Sequence, residues 1–373
     1  MTAKYRNVEM RVDMGVLANN MRTFMRRMQG SCRVMAVVKA DAYGHGAVVC
    51  STCFLENGAS ALAVATVDEA IYLRDAGICA PVLVLGGATA AGARECVARD
   101  VALALCDEGT LFAMQREAAL REKIARAHLK IDTGMIRVGL RSEREIFAIL
   151  DALKRAPNVR IEAAFTHFAA PDADTEFTRE QNARFLRAAG ILRGAGYAPV
   201  LHAAASAAAL LDPAFRYDCV RPGIALYGEE VGHLCPGIEP AQTLVAKPVR
   251  IEEINAGETV GYGRAFTARR KSRIMTLPVG YGDGYPRALS EKAQVLVKGR
   301  RAPIAGRVCM DMLMADITDI EGVSMDDEVV LMGKQGGERI APSELALLAG
   351  TIPYEIILGF HARVPRVVIG QKP

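Results

Sequence analysis

The sequence has no long apolar run, no strong excess of one charge and no regular pattern of cysteines. No run reaches the ~18 apolar residues that a membrane-spanning helix needs. The first residues, MTAKYRNVEMRVD, contain no continuous apolar segment that could act as a signal peptide, so we expect a cytoplasmic protein with no membrane partner. The net charge of +4 is made of interspersed charges of both signs, which argues against a nucleic-acid partner.

The cysteines argue against a disulfide framework. There are nine of them, an odd number, scattered from Cys32 to Cys309, which is typical of reduced core residues. Cys50 and Cys53 form a CxxC pair, but no second pair lies nearby. Their Ala/Val-rich context favours packing in a helix over metal or redox chemistry, so we expect no metal site. A chain of 373 residues that is 51% hydrophobic and 24% charged is typical of a globular protein with room for two domains.

A pattern of strand and helix repeats along the first part of the chain. Apolar runs predict eight strands, at 33–39, 61–66, 81–86, 101–106, 126–132, 159–167, 200–205 and 217–221. Most gaps between them predict amphipathic helices, such as Val67 to Ala76 and Glu143 to Arg155. A further helix is predicted after Asp13, which can cap it, with an inner face of Leu17, Met21, Phe24 and Met28. Eight such units predict a closed α/β structure, a (β/α)8 TIM-like barrel, with an open doubly wound sheet as the alternative because periodicity does not show closure.

The pattern changes after Gly228. The segment VGHLCPGIEPAQ is punctuated by Gly and Pro, as a connection between domains is. Short alternating strands then follow in LVAKPVRIEEI, SRIMTLPV, AQVLVKG, APIAGRV, MLMADIT, EVVLMG and RVPRVVIG, with a helix at SELALLAG. We therefore predict a barrel at 13–235 and a mainly antiparallel β domain at 236–373.

The stretch AVVKADAYGHG, from Ala36 to Gly46, puts a lysine at the end of an apolar strand. Partial desolvation there disfavours the charged ammonium, lowers its pKa and favours a nucleophilic amine, although an isolated strand-end lysine would be read as a snorkelling side chain. Tyr43 lies four residues beyond Lys39, and Gly44 and Gly46 allow a ligand to approach the backbone closely.

A barrel places its reactive residues at the carboxyl ends of the strands. The polar residues at the predicted strand ends are Lys39, Lys130, Asp132, His167, Ser206 and Arg221. His202 instead opens the predicted seventh strand, and we expect it to be structural.

The string VVKADAYGHG resembles the pyridoxal phosphate (PLP) lysine motif of alanine racemases, and nearly the whole chain resembles that family in order. The resemblance implies an isomerase that interconverts L-alanine and D-alanine by a two-base mechanism and supplies D-alanine for peptidoglycan. It also implies that residues 1–12 join the C-terminal domain, and that a homodimer shares its active sites.

The resemblance implies how the cofactor is held. Lys39 would bind PLP covalently, and Arg221, in RPGIALYG, would face the pyridine nitrogen. The phosphate would be held by Tyr43, Ser206, the backbone of Gly223 and Ile224, and Tyr354. An arginine offers only hydrogen-bond donors, so the nitrogen stays an unprotonated acceptor and the ring a weaker electron sink. That arrangement suits simple return of a proton better than transamination or decarboxylation.

The resemblance also implies the substrate contacts. Lys39 would serve one face of the substrate Cα and Tyr262, in ETVGYGRAF of the partner subunit, the other. A phenol has an ordinary pKa near ~10, so Tyr262 needs help from His167 and Arg221 to act as a base. Arg137 and the Met310 backbone would bind the carboxylate, beside Asp311. Lys130 stands where many family members carry a carbamylated lysine, and it would orient Arg137. The access channel would include Asp172, Tyr281, Arg287 and Arg307.

Three alternatives stay open. A racemase of the same family could act more broadly, on serine or lysine; Tyr354 favours alanine, because serine-preferring relatives carry a smaller polar residue there. A decarboxylase of the same barrel type should have a carboxylate opposite the pyridine nitrogen, so Arg221 argues against it. A non-catalytic PLP carrier resembles the barrel alone, so the β domain argues against that. Ala205 and the string GDGY depart from the usual family pattern.

Overall fold

The first strand and the first helix meet at Asp13. In the computed structural model, which describes residues 5–30, 32–229 and 233–370, β1 spans Val8–Asp13 and α1 spans Met14–Met28. The Asp13 carboxylate accepts a hydrogen bond from the Val16 N–H at 3.1 Å, so it caps the helix as predicted. The predicted inner face is fully buried, at Leu17, Met21, Phe24 and Met28.

Eight parallel strands form the sheet that follows, in the order β8-β7-β6-β5-β4-β3-β2-β9. Their bounds are β2 Arg33–Val37, β3 Ala61–Val64, β4 Val82–Val84, β5 Ala102–Leu105, β6 Ala125–Lys130, β7 Val159–Phe165, β8 Val200–His202 and β9 Cys219–Val220. The Asp218 N–H donates to the Leu201 carbonyl at 3.1 Å and the Arg221 N–H to the Ala204 carbonyl at 2.9 Å. These bonds join the two ends of the sheet, so the barrel prediction is confirmed and the open-sheet alternative is wrong.

Helices cover the outside of the barrel. Their bounds are α2 Lys39–Gly44, α3 Ala47–Glu56, α4 Val67–Asp75, α5 Ala90–Ala98, α6 Glu108–Leu120, α7 Glu143–Leu153, α8 Thr175–Gly194 and α9 Ser206–Leu211. The two helices singled out from the sequence, α4 and α7, both begin with a capping box, formed by Thr66 with Glu69 and by Ser142 with Glu145. Such a box satisfies two of the backbone N–H groups that a helix start leaves unpaired, which explains why both helices begin where predicted.

The second domain is built mostly from antiparallel strands. They are β10 Gln242–Ala246, β11 Arg250–Ile254, β12 Thr259–Val260, β13 Phe266–Thr267, β14 Ser272–Leu277, β15 Gln294–Val297, β16 Arg300–Pro303, β17 Leu313–Asp316, β18 Val329–Gln335, β19 Glu338–Ile340 and β20 Arg366–Ile369. Two helices, α10 Pro342–Ala349 and α11 Pro353–Gly359, complete it. The strands β12, β13 and β19 and helix α11 were not predicted, because each is too short to establish a period.

The first strand lies in the sheet of the second domain. β1 pairs with β10 antiparallel and with β20 in parallel. From β1 in one domain, the chain thus passes into the barrel and then returns to the first sheet. We retain 1–12, 13–235 and 236–373 as the proposed division of the chain. The connection predicted from 231 begins with two residues that lie outside the described residues.

Candidate active site

A cavity of about 510 Å³ opens at the carboxyl ends of the barrel strands. The predicted site residues that line it are Lys39, Tyr43, Lys130, Arg137, His167, Asp172, Ser206, Arg221, Gly223, Ile224 and Tyr354. They come from segments spread over more than 300 positions of sequence. The closure of the barrel brings most of them together, and Tyr354 is added by helix α11 of the second domain.

The turn after β2 has an unusual backbone. The strand ends at Val37, so the expectation that it runs to Lys39 is wrong, and Lys39 begins the helical turn α2. Ala40, Asp41, Ala42 and Tyr43 all have left-handed backbone angles, with φ between 51° and 55°. A left-handed turn costs roughly 1–2 kcal/mol for each L-residue, so the surrounding structure has to impose it.

Two carboxylates stabilise the left-handed turn. The Ala40 N–H donates to Glu69 at 2.6 Å, and the Ala47 N–H donates to Asp41 at 2.7 Å. Glu69 is itself fixed, because its second carboxylate oxygen accepts from the N–H of Ala65 at 2.7 Å. Sequence reasoning missed Glu69; its place three residues after Thr66 at a helix start was the available signal.

The amine of Lys39 is partly buried in this cavity. Burial lowers its pKa from the ordinary value, Arg137 lowers it further, and Glu69 partly opposes them. This direction favours a neutral amine, which is the form that attacks a carbonyl carbon or accepts a proton.

One end of the cavity is a close contact between a tyrosine and a backbone. A Cβ atom on Gly223 would lie only 2.3 Å from the phenolic oxygen of Tyr43, so no side chain fits there. The Ser206 hydroxyl oxygen accepts from the N–H groups of Gly223 at 3.1 Å and Ala225 at 3.3 Å, which leaves its hydrogen to be donated. Burial raises the pKa of Tyr43, so its hydroxyl also stays a donor. This end is rich in neutral donors and suits an anionic group.

Arg221 is buried at the base of the cavity. Its Nη2 donates to the carbonyls of Thr166 and Ala203, both at 2.7 Å, and lies 3.4 Å from Nδ1 of His167. Burial lowers the pKa of Arg221 to about 10, so it stays charged at neutral pH. The pKa of His167 is lowered to about 3, by burial first and then by Arg221. A neutral imidazole therefore lies beside a permanent cation.

Two further cations line the wall between β4 and β6. The Nζ of Lys130 donates to the Leu85 carbonyl at 2.8 Å, and burial with nearby Arg137 lowers its pKa to about 8. The loop that carries Arg137 is shaped by Asp132, whose carboxylate accepts from the Arg137 N–H at 2.8 Å and from two other N–H groups, those of Gly134 and Ile136.

Phe165, at the end of β7, is a wall residue that sequence reasoning missed. Lys130 and Arg221 both lie over its ring, with Nζ and Cζ at 5.4 Å and 5.5 Å from the centroid. Its aromatic face thus stabilises two neighbouring cations. His202 was also misjudged: it ends β8 rather than opening it, and it hydrogen-bonds Arg221.

Six residues that the resemblance implies for the site do not line this cavity. They all lie in the second domain and are Tyr262, Tyr281, Arg287, Arg307, Met310 and Asp311. The exposed fractions of Tyr262, Met310 and Tyr281 are 70%, 54% and 40%, which is high for large apolar side chains. Asp311 pairs with Arg363 at 2.6 Å. Within one copy of the chain, the cavity and this surface are separate.

The described residues contain neither a cluster of metal-binding side chains nor a membrane-spanning helix. Within residues 5–30, 32–229 and 233–370, no group of three or more His, Cys, Asp or Glu side chains could hold a metal ion. No helix of that part of the chain has the length and apolar character to span a membrane. All nine cysteines are free thiols.

Comparison with known proteins gives matches along nearly the whole chain. A family model described as alanine racemase, N-terminal domain, matches residues 12–231, and one described as alanine racemase, C-terminal domain, matches residues 241–368. Alanine racemase of Symbiobacterium thermophilum is 43% identical over 368 residues, which covers 96% of this chain and 96% of the relative. Alanine racemase 2 of Caldanaerobacter subterraneus subsp. tengcongensis is 40% identical over 374 residues, covering 98% and 95%. Among solved structures, alanine racemase from Bacillus anthracis with bound L-Ala-P has a TM-score of 0.91 at 35% identity, covering 98% of this chain and 96% of that one.

Proposed function

This chain belongs to the alanine racemase family, and we propose that it carries out the family reaction with PLP bound covalently to Lys39. The reaction itself is the interconversion of L-alanine and D-alanine. The observation that carries the cofactor proposal is the cavity. It joins a partly buried lysine amine, a buried arginine and an end rich in neutral donors.

The residues present fit PLP. The contact between Gly223 and Tyr43 leaves a side-chain-free cradle, and the Ser206 hydroxyl has its hydrogen free to donate. The phosphate would be held there, by Tyr43, Ser206, the N–H groups of Gly223 and Ile224, and Tyr354. Arg221 would donate to the pyridine nitrogen. The match to both family domains argues against a PLP carrier built from a barrel alone.

When bound, PLP withdraws electrons from the substrate Cα and makes its proton acidic. Once the substrate's own amine has displaced it from the cofactor, Lys39 would remove or return that proton on one face, because its lowered pKa favours the neutral amine. Arg221 would face the pyridine nitrogen as a donor only, so it would favour an unprotonated nitrogen. Charge delocalisation into the ring would then be limited, which would favour prompt return of the proton. Arg137 would bind the substrate carboxylate, with its loop held by Asp132.

Inversion needs a second proton donor and acceptor on the opposite face. We propose that Tyr262 supplies it from a partner subunit, so that the active enzyme is a homodimer with two shared sites. The exposure of Tyr262, Met310 and Tyr281, and their separation from the cavity of their own chain, support this. The Met310 backbone and Asp311 would complete the substrate site, while Asp172 of the cavity and Tyr281 of the partner would border the access channel.

We further propose a carbamate on Lys130. Its amine lies among the cations Arg137 and Arg221, and its pKa near 8 leaves part of it neutral and able to react with carbon dioxide. A carbamate would turn this positive charge into a negative one and orient Arg137 by a charged hydrogen bond. For the physiological role, we propose supply of D-alanine for peptidoglycan in the cytoplasm. The nine free thiols are consistent with a reducing compartment.

The cofactor proposal is tested by borohydride reduction of the PLP-loaded protein, followed by peptide mass mapping. We expect the adduct on the peptide that contains Lys39, and its loss in Lys39→Ala. Lys123→Ala is the matched control, because Lys123 is exposed and donates only to the Ala98 carbonyl. An adduct that persists in Lys39→Ala would overturn the assignment. Deuterium incorporation at Cα in heavy water, followed together with chirality, then tests whether exchange is coupled to inversion.

A further inference from the structure

Arg221 is a buried cation that pairs with no carboxylate in the described part of the chain. Its Nη2 is occupied by the carbonyls of Thr166 and Ala203, both at 2.7 Å. Its Nη1 lies 2.9 Å from Nδ1 of His202. A second, longer contact joins Nη2 to Nδ1 of His167 at 3.4 Å. The guanidinium is thus held by neutral groups only, and His202 is the histidine that lies within 3 Å of it.

The contacts allow one placement of the hydrogens. Arginine has only donors, so Nδ1 of His202 must be the acceptor and carry no hydrogen. A neutral His202 then has its hydrogen on Nε2, which lies 3.0 Å from Nδ1 of His128. Nδ1 of His128 must therefore accept, and its hydrogen is on Nε2. The three side chains form a directed chain of donors, in which Arg221 donates to His202 and His202 donates to His128.

Protonation of either histidine would break this chain, because two N–H groups would then face each other. Burial opposes protonation, and it lowers the pKa of His128 to about 3 and that of His202 well below its ordinary range. The charged groups near the pair, Arg33, Arg126 and Arg221, are all cations and act in the same direction. Both imidazoles are therefore neutral throughout the neutral pH range.

The chain of donors formed by Arg221, His202 and His128, here called the relay, also sets the rotation of the guanidinium. Both Nη2 hydrogens have carbonyl acceptors and one Nη1 hydrogen has His202, so the Nε–H and the second Nη1–H are the donors for which the described residues provide no acceptor. Arg221 borders the cavity, so these are the hydrogens it can offer to a bound group. Phe165 fixes the arrangement from the side. Its ring stacks on His202 with the centroids 4.8 Å apart and an interplanar angle of 6°, and it also lies under the Arg221 guanidinium.

We propose that His202 is a positioning residue for Arg221, with its tautomer fixed by His128, and that it directs the remaining Arg221 N–H groups into the cavity as donors to the bound cofactor. The inference rests on the proposed function for the identity of the acceptor. The hydrogen placement rests on the protein alone. The sequence suggests that His202 is purely structural, whereas this proposal gives it a positioning role.

The first measurement needs no activity. The chain has six histidines, so selective ¹⁵N-histidine labelling of the cofactor-loaded protein gives a small set of imidazole signals. We expect His202 and His128 to be neutral and to carry hydrogen on Nε2 at neutral pH, with signals assigned from His202→Asn and His128→Asn. A charged ring, or hydrogen on Nδ1 of His202, would overturn the proposal. This result does not depend on whether the cofactor binds as proposed.

The second measurement separates positioning from packing. His202→Asn can place an amide oxygen where Nδ1 lies and keep the acceptor for Arg221, whereas His202→Leu fills space without it. We expect His202→Leu to lower kcat about ten- to hundredfold with little change in KM, and to change the absorption spectrum of the bound cofactor, since an acceptor for a charged donor is lost. His202→Asn should stay within about threefold of the parent on the same reasoning.

Equal losses in the two variants, when both unfold at the same temperature, would overturn the positioning role. So would full activity and an unchanged spectrum in His202→Leu. If the parent protein binds no PLP, the proposed function fails, and the NMR result still decides the hydrogen placement.

If His202→Leu does not fold, His128→Leu is compared with His128→Asn, because only Asn keeps an acceptor for the His202 Nε2–H. There, too, a smaller kcat loss in the Asn variant is expected, and equal losses would refute the relay.

Discussion

A Cβ atom placed on Gly223 would lie 2.3 Å from the phenolic oxygen of Tyr43, although the two residues are 180 positions apart in the sequence. The contact joins the turn after β2 to the turn after β9. It means that two of the residues proposed to hold the cofactor phosphate depend on each other's position. Gly223 cannot gain a side chain without displacing Tyr43.

The first prediction follows from this contact. In Gly223→Ala, the new methyl group should displace Tyr43 and weaken PLP binding by about ten- to hundredfold, the effect of losing one or two hydrogen bonds to a charged group. The measurement is cofactor dissociation followed by absorbance. Gly190→Ala, in helix α8 with no neighbouring atom within 4 Å, is the matched control and should bind PLP normally. Normal binding by Gly223→Ala would contradict the proposed phosphate site.

The left-handed turn gives the second prediction. Ala40 is exposed and has a φ of 52°, so a glycine there removes a backbone cost without removing a buried side chain. Ala40→Gly should stabilise the fold by about 0.5–1 kcal/mol, which is the left-handed cost less the extra entropy of an unfolded glycine. Ala40→Val should destabilise it, because a branched side chain tolerates this conformation worse. Denaturant unfolding of both variants measures the difference, and destabilisation by glycine would contradict the account.

The third prediction concerns pH and Lys130. Its folded pKa is near 8, below the ordinary value of 10.5, so burial disfavours the charged form and costs stability at low pH. Between these two values the unfolded chain binds more protons than the folded one, so stability rises with pH. In cofactor-free protein depleted of carbon dioxide, the unfolding free energy of the parent should rise relative to Lys130→Met from about pH 8 to 10.5. Parallel curves for the two proteins would refute a buried, cationic Lys130.

The fourth prediction concerns the proposed carbamate. Protein equilibrated with ¹³C-bicarbonate at neutral pH should give a carbamate carbonyl signal that is absent in Lys130→Met and kept in Lys123→Ala. The signal should decline as the pH falls, because only the neutral amine forms a carbamate. Loss of the signal should be accompanied by a higher KM, since Arg137 would lose its charged partner. A signal that survives in Lys130→Met would assign the modification elsewhere.

The fifth prediction tests the shared site. Lys39→Ala and Tyr262→Phe should each be inactive as pure proteins. Mixing them under conditions that exchange subunits should restore about a quarter of the parent activity, because half of the dimers are hybrids and each hybrid has one intact site. Size-exclusion chromatography with light scattering establishes the assembly in parallel. If the mixture stays inactive after subunit exchange has been proven, the shared site is refuted. Tyr262 would then act in the site of its own subunit or have no part in the reaction.

Much of the fold follows from local patterns. The apolar runs that predict eight strands do so because a strand buried on both faces must be continuously apolar. The helix starts at Asp13, Thr66 and Ser142 follow from side chains that cap them. The short strands β12, β13 and β19 were missed, since two or three residues held by their neighbours have no period of their own.

The candidate site, like the fold, was predicted only in part from the sequence. Lys39, Tyr43 and Arg221 are identified by their motifs and by their places at strand ends, and the cavity includes all three. Glu69 and Phe165 were missed because each acts on residues far away in the sequence. The contact of His202 with Arg221 was missed for the same reason, because it exists only where β8 lies beside β9.

The order of strands and helices, the family and the residue types that carry the chemistry can be predicted from the sequence, because they depend on composition, spacing and motif. Three further features come from the packing of distant segments. Barrel closure brings Arg221 onto His202 and Gly223 onto Tyr43. Glu69 and Asp41 hold four L-residues in a left-handed turn that no local preference would select. Burial, which no residue shows on its own, shifts the pKa of Lys130 downward, since removing water penalises charge wherever the fold encloses it.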